Sequence, residues 1–161
     1  MPLRTKGWSM FPEHHRAVAD LLKKEKLHFT FQHADEETGH IKDRDTNVMG
    51  RFDCPNTKCT QKGWSSKKIA VWVRLYPGSR YNARVYNQRC KSCNSLGRPT
   101  LDDSYAERIA YRLKRWSDIK LEPPPYSGGN GKPHERDLCE GCKNGHCADG
   151  ELEERMESFH F

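Results

Sequence analysis

Long apolar segments are missing from this sequence. Only 34% of its 161 residues are hydrophobic, while 31% are charged. No stretch approaches the roughly 20 apolar residues that a membrane-spanning helix needs, and residues 1–11 lack the apolar run of a secretory signal. We therefore expect an intracellular protein, cytoplasmic or nuclear, without a membrane span.

The sparse hydrophobic content also limits the core. A chain of this length with so few apolar residues usually needs a further stabilising element, such as disulfides or a metal. The sequence holds seven cysteines, an odd number that cannot pair completely as disulfides within one chain. In a reducing compartment, cysteine clusters more often bind metal. We therefore expect the cysteines to be metal ligands.

Charge is distributed unevenly along the chain, whose net charge is +6. Residues 51–120 hold 16 basic and 5 acidic residues, whereas residues 121–161 hold 4 basic and 9 acidic residues. A basic middle with an acidic end is typical of a protein whose partner is a polyanion.

Hydrophobic periodicity predicts a few short elements. We expect helices over residues 12–24 and 102–117, strands over 27–31 and 46–53, a loop over 35–45, and a hairpin of strands 68–76 and 80–89. In the first hairpin strand, residues 69, 71, 73 and 75 form one face and residues 70, 72, 74 and 76 the other. The alternation does not show which face is exposed to solvent.

The hairpin predicts the first metal site. Cys54 and Cys59 lie at the start of the outgoing strand, and the returning strand ends at Cys90 and Cys93. Both cysteine pairs should therefore lie at the same end of the sheet, as in a zinc ribbon. Zinc prefers four tetrahedral ligands of this kind.

A second site is predicted near the C-terminus. His134, Cys139, Cys142 and Cys147 follow the spacing H-x4-C-x2-C-x4-C, so that one short segment supplies four ligands. His146 is adjacent to a ligand and is an alternative to His134. A cross-braced arrangement, with pairs exchanged between the two sites, is the rival topology. Two zinc ions per chain are expected.

Structural zinc is favoured over catalytic zinc. Seven cysteines and one histidine fill two tetrahedral sites, whereas a catalytic zinc keeps an open position. A zinc deaminase would need H-x-E together with P-C-x-x-C, but Glu135 directly follows His134 and Leu138 precedes Cys139. We therefore expect that the protein is not an enzyme.

Three sequence segments carry a resemblance to a known family: Trp64-Ser65-Ser66, Tyr86-Asn-Gln-Arg-Cys90-Lys-Ser-Cys93, and Pro133-His134-Glu135 leading into Leu138-Cys139-Glu140-Gly141-Cys142. Together they resemble the zf-3CxxC family of 3CxxC-type zinc fingers, especially its fungal members. The family includes the receptor-transporting proteins and, more distantly, the zygote arrest proteins. The first cysteine pair departs from the pattern, because it is C-x4-C and not C-x-x-C.

The resemblance implies zinc binding and an α+β fold. We expect a small antiparallel sheet of zinc-ribbon type flanked by two helices, with a C-terminal Cys/His zinc knuckle. Residues 1–10 would form an N-terminal extension, residues 11–147 the zinc-binding domain with its knuckle at 134–147, and residues 148–161 an acidic tail.

The sequence is compatible with two functions. Family members linked to antiviral defence and to maternal messenger RNA are associated with RNA binding, which fits the basic middle of this chain. The candidate nucleic-acid ligands are Lys67, Lys68, Trp72, Arg74, Arg80, Arg84 and Tyr86 on the hairpin. Alternatively, the rings on that face pack under a helix and the arginines are only solvated, so that the face binds no nucleic acid. The second function is that of a protein-interaction adaptor, as in receptor-transporting proteins. The helix faces, residues 123–126 and the acidic tail would form its contact surface.

Overall fold

Two long antiparallel strands, Lys42–Asp53 and Gly63–Tyr76, form the centre of the fold. The computed structural model describes residues 7–117 and 136–147. In chain order the elements are β1 (Trp8–Ser9), α1 (His15–Leu22), β2 (Thr30–Phe31), β3 (Lys42–Asp53), β4 (Gly63–Tyr76), β5 (Arg80–Tyr86), β6 (Arg98–Leu101), α2 (Ser104–Trp116) and α3 (Glu140–Lys143). Short 3-10 turns at Pro12–His14 and Lys23–Glu25 flank α1, and another at Arg136–Leu138 precedes α3.

The strands form one sheet in the order β1-β5-β4-β3-β6, and β2 also pairs with β5. Every pairing is antiparallel except that of β2 with β5, which is parallel. The long ladder between β3 and β4 runs from Lys42 opposite Leu75 to Asp53 opposite Gly63. The expected α+β fold, a zinc-ribbon-like sheet with two helices and cysteine clusters, is confirmed.

One face of the sheet packs against both helices. The predicted alternation in β4 is confirmed, because Ile69, Val71 and Val73 are fully buried in this core. The helices contribute residues at helical spacing, namely Val18 and Leu22 from α1 and Tyr105, Ile109 and Leu113 from α2. Among the described residues, no helix is long and apolar enough to cross a membrane.

The opposite face of the sheet is also covered, a point that the alternation in the sequence left open. Arg74 and Arg84 have only 0% and 4% of their surface exposed. The carboxylate of Asp35 accepts hydrogen bonds from Arg74 Nη2 at 2.6 Å, from Arg84 Nη2 at 2.8 Å and from Trp8 Nε1 at 2.9 Å. The two arginines are therefore buried ion-pair partners and are not solvated.

The segment around Asp35 is held across this face by further bonds. Asn82 Nδ2 donates to the carbonyls of Gln32 and Ala34, and Arg74 Nη1 donates to the carbonyl of Glu36 at 2.9 Å. The Tyr76 hydroxyl donates to the same Glu36 carbonyl. The polar side chains of β4 and β5 therefore bind the backbone of a neighbouring loop.

Several predicted boundaries were wrong. The supposed N-terminal extension enters the sheet, because Trp8 and Ser9 form β1 on the edge of β5. The predicted loop over 35–45 overlaps β3, whose charged first residues pair with β4. The strand expected over 27–31 is reduced to Thr30–Phe31, and β6 was not predicted. The tail expected over 148–161 lies outside the described residues.

Asp35→Asn is expected to lower the free energy of unfolding by about 3 kcal/mol. The substitution removes the carboxylate from Arg74, which is completely buried, and an unpaired buried charge is costly. The matched control is Glu37→Gln, because Glu37 pairs with Arg84 from an exposed position, where an ion pair contributes about 1 kcal/mol or less. Chemical denaturation measures both, and equal losses would contradict the assigned role of Asp35.

Acid should weaken the fold through the same carboxylate. Burial alone would raise the pKa of Asp35, but hydrogen bonds from Arg84, Arg74 and Trp8 lower it to about 2. The unfolded chain has the ordinary aspartate pKa of about 3.9. The stability from Asp35 is therefore present above about pH 4 and lost as the pH falls toward 2. The acid dependence of unfolding should be shallower in the Asp35→Asn variant than in the wild type.

Candidate metal centres

Two loop closures position the first cysteine cluster. Cys54 follows β3, and its N–H donates to the carbonyl of Lys62 at 3.0 Å, just before β4 begins. Within the loop, the Cys59 N–H donates to the carbonyl of Asn56 at 3.0 Å. The strand ladder and this loop therefore hold two thiols at one end of the sheet.

The other two thiols come from the chain that follows β5. The Cys90 N–H donates to the Ser95 carbonyl, and the Asn94 N–H donates back to the Cys90 carbonyl, each at 2.8 Å. Asn94 adopts the left-handed conformation with φ of 62°, which asparagine tolerates better than most residues. This tight turn places Cys93 beside the first pair.

The sulfur separations fit tetrahedral zinc. Cys54 Sγ lies 3.5 Å from Cys93 Sγ, and Cys59 Sγ lies 3.7 Å from Cys90 Sγ. A disulfide would require about 2.05 Å, whereas two thiolates on one zinc at about 2.3 Å lie roughly 3.8 Å apart. All four sulfurs lie within 4.8 Å of one another. This cluster can hold one zinc ion with four thiolates.

The pKa values of two thiols in this cluster are shifted in opposite directions. Burial raises the pKa of Cys59 to about 12. Hydrogen bonds from the side chain and backbone of Ser95 lower the pKa of Cys93 to about 6. Four thiolates this close repel one another, so that a cation is needed to stabilise them together.

The second cluster consists of Cys139, Cys142 and Cys147, whose sulfurs also lie within 4.8 Å of one another. The single-turn helix α3 begins after Cys139, and the Cys142 N–H donates to the Cys139 sulfur at 3.4 Å. Asn47 Nδ2 on β3 lies 3.9 Å from the Cys147 sulfur and donates to it. Three soft ligands supported by N–H donors fit a zinc ion.

The fourth ligand predicted for this cluster, His134, lies outside the described residues. The alternative, His146, does not belong to the group of side chains whose ligand atoms lie within 4.8 Å of one another, and its Nδ1 lies 2.9 Å from Asp45 Oδ1. Its ring stacks on Trp72 with centroids 4.1 Å apart. The structure brings the seven cysteines together as two separate clusters, without exchange of pairs between them.

The part of the knuckle that holds the three cysteines, residues 139–147, docks on the second face of the sheet. Cys139 forms an isolated bridge with Gln88, and Arg89 Nε donates to Glu140 Oε1 at 2.6 Å. Gly141 lies so close to the sheet that a Cβ there would be 2.3 Å from Ala70 Cβ. The knuckle and the Asp35 segment together cover this face.

The residues expected to bind nucleic acid fall into two groups. Trp72, Arg74, Arg84 and Tyr86 are buried, with exposures of 6%, 0%, 4% and 1%. The prediction that they present an open binding face was wrong, because the knuckle and β1 cover the rings while Asp35 and Glu37 form ion pairs with the arginines. Arg80 and Lys67 are exposed, and Lys68 is half-buried.

The residues that support the second metal cluster were not predicted from the sequence. Asn47 and Asp45 are about a hundred positions from Cys147 and His146, with which they interact. No spacing rule connects residues so far apart. Asp45 lies in the predicted loop over 35–45 and Asn47 in the predicted strand over 46–53, and neither position indicates this role.

Single ligand substitutions should remove zinc one ion at a time. The wild type is expected to bind about two zinc ions per chain, and Cys59→Ser or Cys142→Ser about one each, because the clusters share no ligand. Elemental analysis after removal of free metal measures this. One zinc ion in the wild type would contradict the second site, and loss of both ions from either variant would contradict independent clusters.

Gly141→Ala is expected to lower the free energy of unfolding by about 1–3 kcal/mol, because the new methyl group collides with Ala70 and overpacks the contact. Lys143→Ala is the control, since Lys143 is exposed on the same short helix. Thermal unfolding followed by circular dichroism compares the two. Equal stability of the variants would contradict the docking of the knuckle.

The comparisons with known proteins agree with these clusters. The 3CxxC zinc-ribbon model, described as a zinc-binding domain, matches residues 47–145. No curated protein and no solved structure matches the chain. The matched region covers more than half of the sequence and contains six of the seven clustered cysteines. The chain therefore belongs to the 3CxxC zinc-ribbon family of zinc-binding domains.

Proposed function

We propose that this protein is a structural-zinc module that binds nucleic acid, with RNA favoured, through exposed cations around its first metal cluster. The observation that carries the proposal is a group of four exposed basic residues, which we name the ribbon rim: Arg51, Lys58, Lys62 and Arg98. The rim replaces the buried hairpin face as the candidate contact surface.

The fold brings the rim residues to one end of the sheet. Arg98 is the register partner of Asp53, which precedes Cys54, and the Lys62 carbonyl closes the loop onto Cys54. Lys58 lies in that loop beside Cys59. Strand pairing and metal ligation together therefore gather cations that are separated in sequence.

The charges of the rim are available to an incoming polyanion. Lys58, Lys62 and Arg98 have no acidic partner among the described residues. Arg51 Nε lies 3.7 Å from Asp53 Oδ1, and both side chains are exposed. Exposed ion pairs are weak, so a phosphate can compete for Arg51.

The expected affinity is modest. A zinc ion with four thiolates carries a charge of about −2, and Asp53 adds another negative charge near the rim. We therefore expect the micromolar or weaker affinity that is typical of phosphate contacts without base readout.

The nature of the exposed surface favours this proposal over an apolar protein-docking function. Among residues 7–117 and 136–147, Ile41 is the large hydrophobic side chain that remains exposed, and single exposed residues are ordinary. A protein-interaction adaptor of the kind seen in receptor-transporting proteins is the outcome if nucleic-acid binding fails. We also propose that the protein has no enzymatic activity, because four thiolates leave no open position on the first zinc. A cytoplasmic or nuclear location is proposed as well.

Reversal of three rim charges should abolish most of the binding. Lys58→Glu/Lys62→Glu/Arg98→Glu is compared with Arg16→Glu/Lys24→Glu/Lys42→Glu, whose positions are exposed and away from the cysteine loops. Both variants change the net charge from +6 to 0. Loss of three phosphate contacts should reduce the slope of log K against log salt by about 2 for single strands.

Fluorescence anisotropy of the zinc-loaded protein with single-stranded RNA and DNA, at several salt concentrations, measures these slopes. Binding that is lost in the rim variant and retained in the control supports the proposal. Equal loss of binding in both variants would show that net charge causes the effect, and would overturn the rim as the contact surface. Absence of binding at low salt would overturn the nucleic-acid function itself.

A further inference from the structure

An open groove of about 660 Å³ lies beside the ribbon rim. Its floor is the chain after β5, including Asn87 and Arg89, and the loop before β6 forms one wall. Its volume lies within the range of small-molecule sites. None of the residues assigned above to metal binding lines it.

The floor of the groove is fixed on both sides. The Asn87 N–H donates to the Gly7 carbonyl at 2.8 Å, and its carbonyl accepts from the Glu140 N–H at 3.1 Å. The side chain of Gln88 is engaged by Trp64 and Ser66. The backbone at Asn87 is therefore held between the N-terminal strand and the knuckle.

The side-chain amide of Asn87 has an unsatisfied hydrogen-bonding group. Asn87 lines the groove and is 7% exposed, while its Oδ1 is shielded from solvent and has no hydrogen-bond partner among the described residues. A base therefore reaches this oxygen only after the side-chain amide rotates. A buried polar atom without a partner is costly, so a native structure that retains one invites a functional explanation. Asparagine offers one acceptor and two donors on a flat amide, which suits the edge of a nucleobase.

The other groove residues suit the remaining parts of a nucleotide. Arg98 is an exposed cation at the groove and belongs to the rim. Arg89 is held by Glu140 and by the Asn94 carbonyl, so its side chain is fixed in the floor of the groove. Pro55, Leu96 and Pro99 supply apolar surface against which a flat base can pack.

We propose that this groove binds one unstacked nucleotide of a single-stranded nucleic acid, with the base edge on the Asn87 amide and a phosphate on Arg98. The inference rests on the proposed function and makes it more specific. Rim cations supply affinity through phosphates, whereas the groove adds a contact to one base.

The test separates the two contributions. We compare the zinc-loaded wild type with Asn87→Ala, using a short oligoadenylate and an abasic oligomer of the same length. Asn87→Ala should weaken oligoadenylate binding about tenfold, as expected for a lost base contact, and leave abasic binding and the salt slope unchanged, because no charge is altered. Thermal unfolding checks that the variant is folded, which we expect since the Asn87 Oδ1 bonds to no other group.

Nuclear magnetic resonance with adenosine and cytidine monophosphates provides a second measurement, with ribose 5-phosphate as the probe without a base. Shifts at the amides of Asn87, Leu96 and Gly97 that need the base support the groove. The groove proposal is overturned if Asn87→Ala still binds the polymer in a salt-dependent way and the nucleotides cause no shifts at those amides. In that case the proposed binding through the ribbon rim stands. Absence of polymer binding together with absence of these shifts overturns both.

Discussion

The β4–β5 hairpin is buried on both faces, and the rest of the structure follows from this constraint. Residues 69–76 and 81–88 are all buried. An apolar face against two helices is the ordinary solution for one side of a sheet. The other side carries arginines, asparagine and tyrosine, which must find partners when they leave water. Asp35 and the backbone of its loop supply those partners.

The metal clusters complete this burial in a chain with few apolar residues. The first cluster ties together the loop after β3 and the turn after β5. The second cluster folds a short segment into a knuckle that packs on Ala70 and Trp72. Because such a small segment cannot form a core of its own, metal ligation replaces hydrophobic burial as the source of its rigidity.

The consequence for function is a separation of roles among the basic residues. Arg74 and Arg84 hold the fold together from inside. The four exposed cations of the ribbon rim remain on the surface near the first cluster. The sequence total of sixteen basic residues between positions 51 and 120 therefore overstates the charge that a partner can contact, and only the fold distinguishes the two sets.

The sequence by itself determined the local features. The alternation of β4, the helix over residues 102–117 and the first cysteine cluster were predictable because short-range periodicity and hairpin geometry specify them. Tertiary structure alone decided that Asp35 forms ion pairs with two arginines, that Asn47 supports Cys147 and that β1 joins the sheet. These contacts join residues far apart in the chain. A strand with polar groups on one face reads the same whether water or another layer covers that face, so its burial follows only from what packs against it.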